Sequence, residues 1–221
     1  MLKIWVEQIK KKPDHYGVAY WKYNISGKIL ELSVKKEFLK QEGEFREAVI
    51  SIGKVLQALR QNLNDEGYQH HVQTFPNLDD SALIAAIRIL SAPATKKDTS
   101  QSDETTLDLE LMPQTLERYA RENQLVLYKI NSSDLKDVVI PAPDKDLDWY
   151  ALCANHDNPF IWLRVGYWQE YMINLEDDLQ SGLIVVTDTA ISNNRLILNG
   201  SVNNQFVQLL VGIPNETTAS S

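Results

Sequence analysis

The segment "NPFIWLRVGYWQEYMINLEDDLQSGL", residues 158–183, is the most informative stretch of the sequence because its pattern predicts one long helix with a signal at each end. Asn158 is a suitable N-cap, Pro159 suits the first helical turn, and Gly182 stands where a helix commonly ends. Gly166 costs roughly 1 kcal/mol relative to Ala inside a helix, which indicates that another segment approaches closely there. The apolar residues recur at helical spacing and predict a buried stripe: Ile161, Val165, Trp168, Met172, Leu175 and Leu179.

The remaining patterns alternate between helices and strands. They predict a short helix at 2–11, a hairpin turning at Ser26-Gly27, and a long helix at 43–66 that ends at Gly67. Strands are expected at 68–75, 82–90, 124–130, 149–155, 182–191 and 205–213, with a further helix at about 113–123. The fold class expected is α+β, with a central, mostly antiparallel sheet flanked by the two long helices.

Composition favours one domain spanning residues 1–221. A chain of 221 residues with 43% hydrophobic residues can bury a full core. The stretch 91–106 holds almost nothing apolar, and we interpret it as a mobile polar loop. Residues 215–221 are expected to form a flexible tail. We expect the two long helices to pack together against a sheet made from the hairpin, the central strands and residues 205–213.

Charge and cysteine content exclude several classes of function. A net charge of −8 opposes binding to nucleic acid, and no apolar run approaches the length that spans a membrane. The single cysteine, Cys153, excludes an internal disulfide and is expected to be a buried, inert thiol, so a cytoplasmic location is predicted. His70 and His71 are neighbours in a predicted strand and point to opposite faces, so no metal site is expected.

Four collinear segments resemble the nitroreductase-like family, in particular its divergent branch related to the mycobacterial Acg proteins. "WLRVGYWQEYMINLEDDLQSGL" resembles the W-L-R-x-G helix of that family, and "FREAVISIGKVLQALRQNL" resembles its R-E-x-x-I-S-x-G helix. "PDHYGVAYWKYNISGKILELSV" is similar to its P-S-x-x-N-x-Q-P-W segment and hairpin, and "QFVQLLVGIP" to its closing strand. These matches occur in the family's order and cover most of the chain.

The resemblance implies a homodimeric flavoprotein that binds FMN at the subunit interface. Such an oxidoreductase passes hydride from NAD(P)H to nitroaromatic or quinone-type acceptors, and the flavin carries the chemistry. The residues on which cofactor binding would depend are Asp14, His15, Gly17, Trp21, Lys96, Lys97, Arg164 and Gly166. No catalytic residue is assigned.

Several of these positions depart from the family pattern. Asp14 stands where the family has Ser, Gly17 where it has Asn, and the carboxylate would repel a flavin phosphate. The family branch also has an arginine-rich segment, which is replaced here by the polar loop with Lys96 and Lys97. Three hypotheses remain: an FMN-dependent oxidoreductase, a degenerate non-catalytic homodimer of the same fold that stores flavin or binds a partner, and a module for a small-molecule ligand.

Two expectations follow from the resemblance. Gly53 and Gly166 allow close helix approach, so we expect a homodimer built around the two long helices, which Gly166→Leu would weaken. We also expect FMN to bind loosely, and Asp14→Ser with Gly17→Asn to strengthen binding by removing a repulsion and restoring a donor.

Overall fold

The computed structural model describes residues 1–77, 79–91, 112–131, 147–179, 183–186 and 205–214, with the backbone alone for 176–179. The chain divides into two compact units, an N-terminal unit Met1–Glu104 and a C-terminal unit Thr105–Ser221. Each unit contains α-helices and one four-stranded antiparallel sheet, so the protein is α+β as expected. Among the described helices, none combines the length and the apolar character needed to cross a membrane.

The N-terminal unit builds its sheet from two hairpin-like pairs around a long helix. Its helices are α1 (Leu2–Ile9), α2 (Pro13–Tyr16), a short 3₁₀ helix (Lys36–Phe38) and α3 (Glu42–Asp65). Its strands are β1 (Trp21–Ser26), β2 (Ile29–Val34), β3 (Gln69–Thr74) and β4 (Leu83–Ser91), in the order β1-β2-β4-β3.

Local sequence explains these elements. Ser26 pairs with Ile29, so Gly27 and Lys28 form the two-residue turn of the hairpin, and Gly27 has the positive φ of 59° that such a turn requires. The turn therefore lies one residue later than predicted. α3 contacts all four strands, and the alternate residues Leu30, Leu32 and Val34 of β2 are fully buried. Each such side chain contributes about 1.5–3 kcal/mol by leaving water.

The C-terminal unit contains α4 (Met112–Glu122), β5 (Val126–Ile130), β6 (Leu147–Ala154), α5 (Pro159–Leu179), β7 (Ile184–Val186) and β8 (Phe206–Pro214). The strand order is β5-β6-β8-β7. Asn158 caps α5 as predicted, because its Oδ1 accepts a hydrogen bond of 3.1 Å from the Ile161 amide. α4 contacts α5, where the rings of Tyr119 and Tyr171 stack with centroids 3.9 Å apart.

The burial of α5 is broader than the stripe predicted from its sequence. Every residue from Ile161 to Glu170 is buried except Arg164, and this includes Gln169 and Glu170 on the polar side of the stripe. A helix covered on all sides lies in an interior rather than at a surface. The same holds for the first half of α3, where residues 48–53 are buried without interruption.

One expectation about the sheet was wrong. The hairpin β1–β2 and the final strand β8 were expected in a single central sheet, but they belong to two different sheets. The two units also share one element order, in which a helix, two strands, a long helix and two further strands follow each other. The amino-acid sequence itself shows no evident repeat. The prediction of one domain stays a prediction. Of the polar loop predicted at 91–106, Ser91 ends β4 and residues 92–106 lie outside the described residues, as does the tail at 215–221.

Candidate functional site

The segment that resembles the family's flavin-contacting motif folds into the small helix α2 and a tight turn. Pro13 opens α2, and Gly17 ends it in the left-handed conformation with φ of 53°. The amide of Val18 then donates to the carbonyl oxygen of Pro13 at 3.1 Å. Trp21 begins β1, is buried, and donates from its indole Nε1 to the carbonyl oxygen of Tyr16 at 2.8 Å. The Trp21 nitrogen thus fastens α2 to β1.

Gly17 lies directly against α3. A Cβ atom at Gly17 would be 2.2 Å from Ser51 Oγ and 3.0 Å from Ser51 Cβ. Ser51 is itself buried in the middle of α3. A side chain at position 17 would therefore clash with Ser51 unless the serine moves, so this packing opposes the benefit expected from Gly17→Asn.

Lys35, which directly follows β2, brings a cation into contact with the turn. Its Nζ donates to the carbonyl oxygens of Val18, at 3.3 Å, and Ala19. The Lys35 amide also donates to the Tyr20 carbonyl at 2.9 Å. The ammonium group therefore fixes the backbone of the turn, and it is directed at the turn's own carbonyl oxygens.

Asp14 and His15 sit on the outer side of this segment. Asp14 is exposed, and His15 is half-buried with its ring edge-on to Tyr16 at a centroid distance of 4.3 Å. An exposed carboxylate that faces water adds negative charge where a phosphate dianion would need donors. The side chains at 14–21 do not fit a flavin phosphate.

The other predicted cofactor contacts lie elsewhere in the chain. Arg164 and Gly166 belong to α5 in the C-terminal unit, where Arg164 Nη1 donates to Gln124 Oε1. Gln124 follows α4 with a positive φ of 58°, so this bond holds the turn that ends the helix. Gly166 is buried. Lys96 and Lys97 fall outside the described residues.

Cys153 is the buried thiol that the sequence predicted. It is fully buried in β6, and burial raises its pKa to about 12. A thiol with so high a pKa is protonated at neutral pH and is a poor nucleophile. Within the part of the chain that the structure describes, no cluster of three or more His, Cys, Asp or Glu could hold a metal ion.

No protein-family model matches the chain. No curated protein matches it either.

The sequence reasoning missed the two side chains that shape the turn. Neither Ser51 nor Lys35 was among the predicted site residues. A signal for Ser51 exists, because a small polar residue among the buried apolar residues of α3 indicates close contact with a neighbouring segment. Lys35 gives no such signal, since its bonds are to backbone atoms.

Proposed function

We propose that this protein is a nitroreductase-like protein that has lost flavin catalysis and acts by binding another molecule. The observation that carries the proposal is the contact between Gly17 and Ser51, where a Cβ at position 17 would lie 2.2 Å from the serine oxygen. A polar side chain at that position is what the family resemblance requires of a flavin site. In this chain Ser51 of α3 lies against that position instead.

Charge supports the same conclusion. Asp14 is exposed beside the turn, and the ammonium of Lys35 donates to the carbonyl oxygens of Val18 and Ala19. A flavin phosphate would have to displace those bonds and approach a carboxylate. Both changes oppose binding, so FMN at physiological concentration would occupy little of the protein.

The visible absorption spectrum of the purified protein, before and after adding FMN, tests the proposal. We expect a colourless protein, weak quenching of FMN fluorescence on titration, and NAD(P)H-dependent nitro reduction at background level. Asp14→Ser is compared with Asp65→Ser, an exposed aspartate at the end of α3, and only the former is expected to tighten FMN binding. A yellow protein with one tightly held FMN per chain would overturn the proposal and make the protein an oxidoreductase.

The homodimer stays part of the proposal, but we no longer expect the two glycines of the long helices to form its interface. Gly53 and Gly166 are both buried within a single chain, so neither leaves area to bury against a second copy. We therefore expect Gly166→Leu to unfold the chain rather than to separate subunits. Sedimentation velocity at micromolar concentration tests the dimer, and a monomer at every concentration would contradict it. The cytoplasmic location is part of the same proposal.

A further inference from the structure

A groove of about 390 Å³ lies in the N-terminal unit, where the start of α1 passes the β1–β2 turn. Its apolar lining includes Leu2 from α1, Ile25 from β1 and Ile89 from β4, together with the ring of Tyr68 just before β3. Ligand sites in proteins have volumes of roughly 300–1,000 Å³ and are mainly apolar with a few polar groups. The groove meets both conditions, and it uses none of residues 13–21.

Two lysines give the groove a charge. Lys3 on α1 and Lys28 in the hairpin turn line it, and none of the described residues in its lining is acidic. The chain as a whole carries a net charge of −8. A local positive potential on an acidic protein attracts small anions and selects against cations.

The nearest carboxylate on α1 is already engaged by other groups. Glu7 Oε1 accepts a hydrogen bond of 2.7 Å from the Tyr23 hydroxyl and one of 3.1 Å from Lys10 Nζ. These bonds, the Tyr23 bond first, hold the pKa of Glu7 below its ordinary value, while Lys3 adds only a weaker attraction through space. Among the described residues, Lys3 and Lys28 take part in no ion pair, and both side chains are exposed.

We propose that this groove binds a small amphiphilic anion, with its apolar chain on Leu2, Ile25 and Ile89 and its acidic head between Lys3 and Lys28. The proposal commits to a free molecule of this kind, such as a medium-chain fatty acid. The two exposed lysines favour an anion, and the apolar lining favours a ligand with a hydrocarbon chain. The proposal does not rest on the loss of flavin catalysis, because the two involve different residues.

Isothermal titration calorimetry tests the proposal with decanoate and decyltrimethylammonium, each below its micelle concentration, and with decanol below its solubility limit. We expect decanoate to bind with a dissociation constant on the order of 0.1–1 mM, decanol more weakly, and the ammonium not at all. Decanoate binding should weaken as salt rises, since exposed charges are screened. Absence of decanoate binding, or equal binding of all three probes, would overturn the proposal.

Two double variants distinguish binding of the acidic head by Lys3 and Lys28 from a general effect of the protein's net charge. Lys3→Gln with Lys28→Gln should weaken decanoate binding about fivefold and leave decanol unchanged, because exposed charge pairs are modest. The matched control is Lys22→Gln with Lys36→Gln, two exposed lysines that do not line the groove. Equal losses in both double variants would refute recognition by Lys3 and Lys28.

Two further measurements complete the test. Ile25→Asp places a carboxylate on the half-buried floor of the groove and should abolish decanoate binding, with circular dichroism confirming that the variant is folded. Flotation with vesicles containing phosphatidylglycerol tests the alternative that the groove binds the anionic lipids of a membrane rather than a free molecule. Binding to vesicles without binding to free decanoate would overturn the proposal in favour of a membrane surface.

Discussion

The two units use one topology but bury their sheets differently. The orders β1-β2-β4-β3 and β5-β6-β8-β7 correspond strand for strand. Both central pairs also contain a register shift near the same end, between Leu32 and Ser33 in one and between Leu152 and Cys153 in the other. In β2 buried and half-buried residues alternate, whereas every residue of β6 from Trp149 to Ala154 is buried.

The same strand order is therefore compatible with two different patterns of burial. The residue left out of pairing by the register shift is Ile84 in β4 and Gln208 in β8, and both are buried. Gln208 Nε2 lies 3.4 Å from Asp157 Oδ1, so the second unit places a polar contact where the first places an aliphatic side chain. Equivalent positions can therefore be named from the register, and each pair makes a matched experiment.

The largest contrast is expected between Ala151 and Glu31, which occupy equivalent positions in β6 and β2. Ala151 is fully buried, whereas Glu31 is half-buried and its Oε2 accepts a hydrogen bond from Asn24 at 3.0 Å. Ala151→Glu should lower the free energy of unfolding by about 4 kcal/mol because it buries an unpaired charge. Glu31→Ala should change it by less than about 0.5 kcal/mol.

Urea unfolding followed by tryptophan fluorescence measures both variants. If Ala151→Glu does not fold, Ala151→Ser gives a graded version and should cost about 1–2 kcal/mol, since a buried hydroxyl without a partner remains. A loss below about 1 kcal/mol for Ala151→Glu would mean that the second face of the C-terminal sheet is open to water.

The next contrast pairs Gly212 with Arg88. A Cβ on Gly212 would lie 2.9 Å from Leu147 Cδ1 and 3.1 Å from Trp149 Cη2, whereas Arg88 is exposed. Gly212→Val should therefore cost about 1–3 kcal/mol through overpacking, and Arg88→Val less than about 0.5 kcal/mol. Thermal unfolding distinguishes them, and a stable Gly212→Val would show that the Trp149 ring moves freely.

A smaller contrast is expected between Trp21, the first residue of β1, and Trp162, in the first turn of α5. Trp21 Nε1 donates to a backbone carbonyl in a buried bond of 2.8 Å, whereas Trp162 Nε1 donates to Asp157, which is exposed and can bind water instead. Trp21→Phe leaves the Tyr16 carbonyl without this donor and should cost about 1–2 kcal/mol more than Trp162→Phe. Equal losses in denaturant would show that ring packing dominates at both sites.

The smallest effect is expected at Cys153 and its counterpart Ser33. Because burial raises the pKa of Cys153 from 9.0 to about 12, the folded thiol should not react with a disulfide reagent at pH 8. In the variant Ser33→Cys with Cys153→Ala, the new thiol at a half-buried position should react measurably without denaturant. Rapid reaction of native Cys153 would contradict the burial of β6.

The same pKa predicts a loss of stability in alkali. The folded state holds the Cys153 proton more strongly than the unfolded state, so this contribution is fully present below about pH 9 and is lost as pH rises toward about 12. Cys153→Ala should therefore show a shallower decline in unfolding free energy over that interval. An identical decline in both proteins would contradict the raised pKa.

Sequence predicted the elements well because their signals are local. The helix expected at 43–66 is Glu42–Asp65, and Gly67 has the positive φ of 73° expected after it. The pairing of strands could not be predicted, since "QFVQLLVGIP" is apolar apart from Gln205 and Gln208 and fits a central position in either sheet. α2 was missed because its four residues are too few to show a helical period.

The candidate site was predicted less well than the fold for a related reason. Asp14, His15, Gly17 and Trp21 were recognised from a linear motif, but what they do depends on groups distant in sequence. Ser51 is 34 positions away from Gly17, and Lys35 acts on the backbone of Val18 and Ala19. Contacts of this kind leave no spacing pattern within the motif itself.

The contact between Gly17 and Ser51 also constrains the order in which substitutions could accumulate. With Ser51 present, a side chain at position 17 meets an oxygen at 2.2 Å, so Gly17→Asn on its own is expected to be harmful. Ser51→Ala removes the oxygen but leaves a carbon at 3.0 Å, and Ser51→Gly removes both atoms while Tyr20 Cδ2 remains at 3.1 Å. We therefore expect the two positions to be epistatic: the cost of a side chain at position 17 depends on the residue at position 51, and removing both Ser51 atoms would place a glycine in a buried helix.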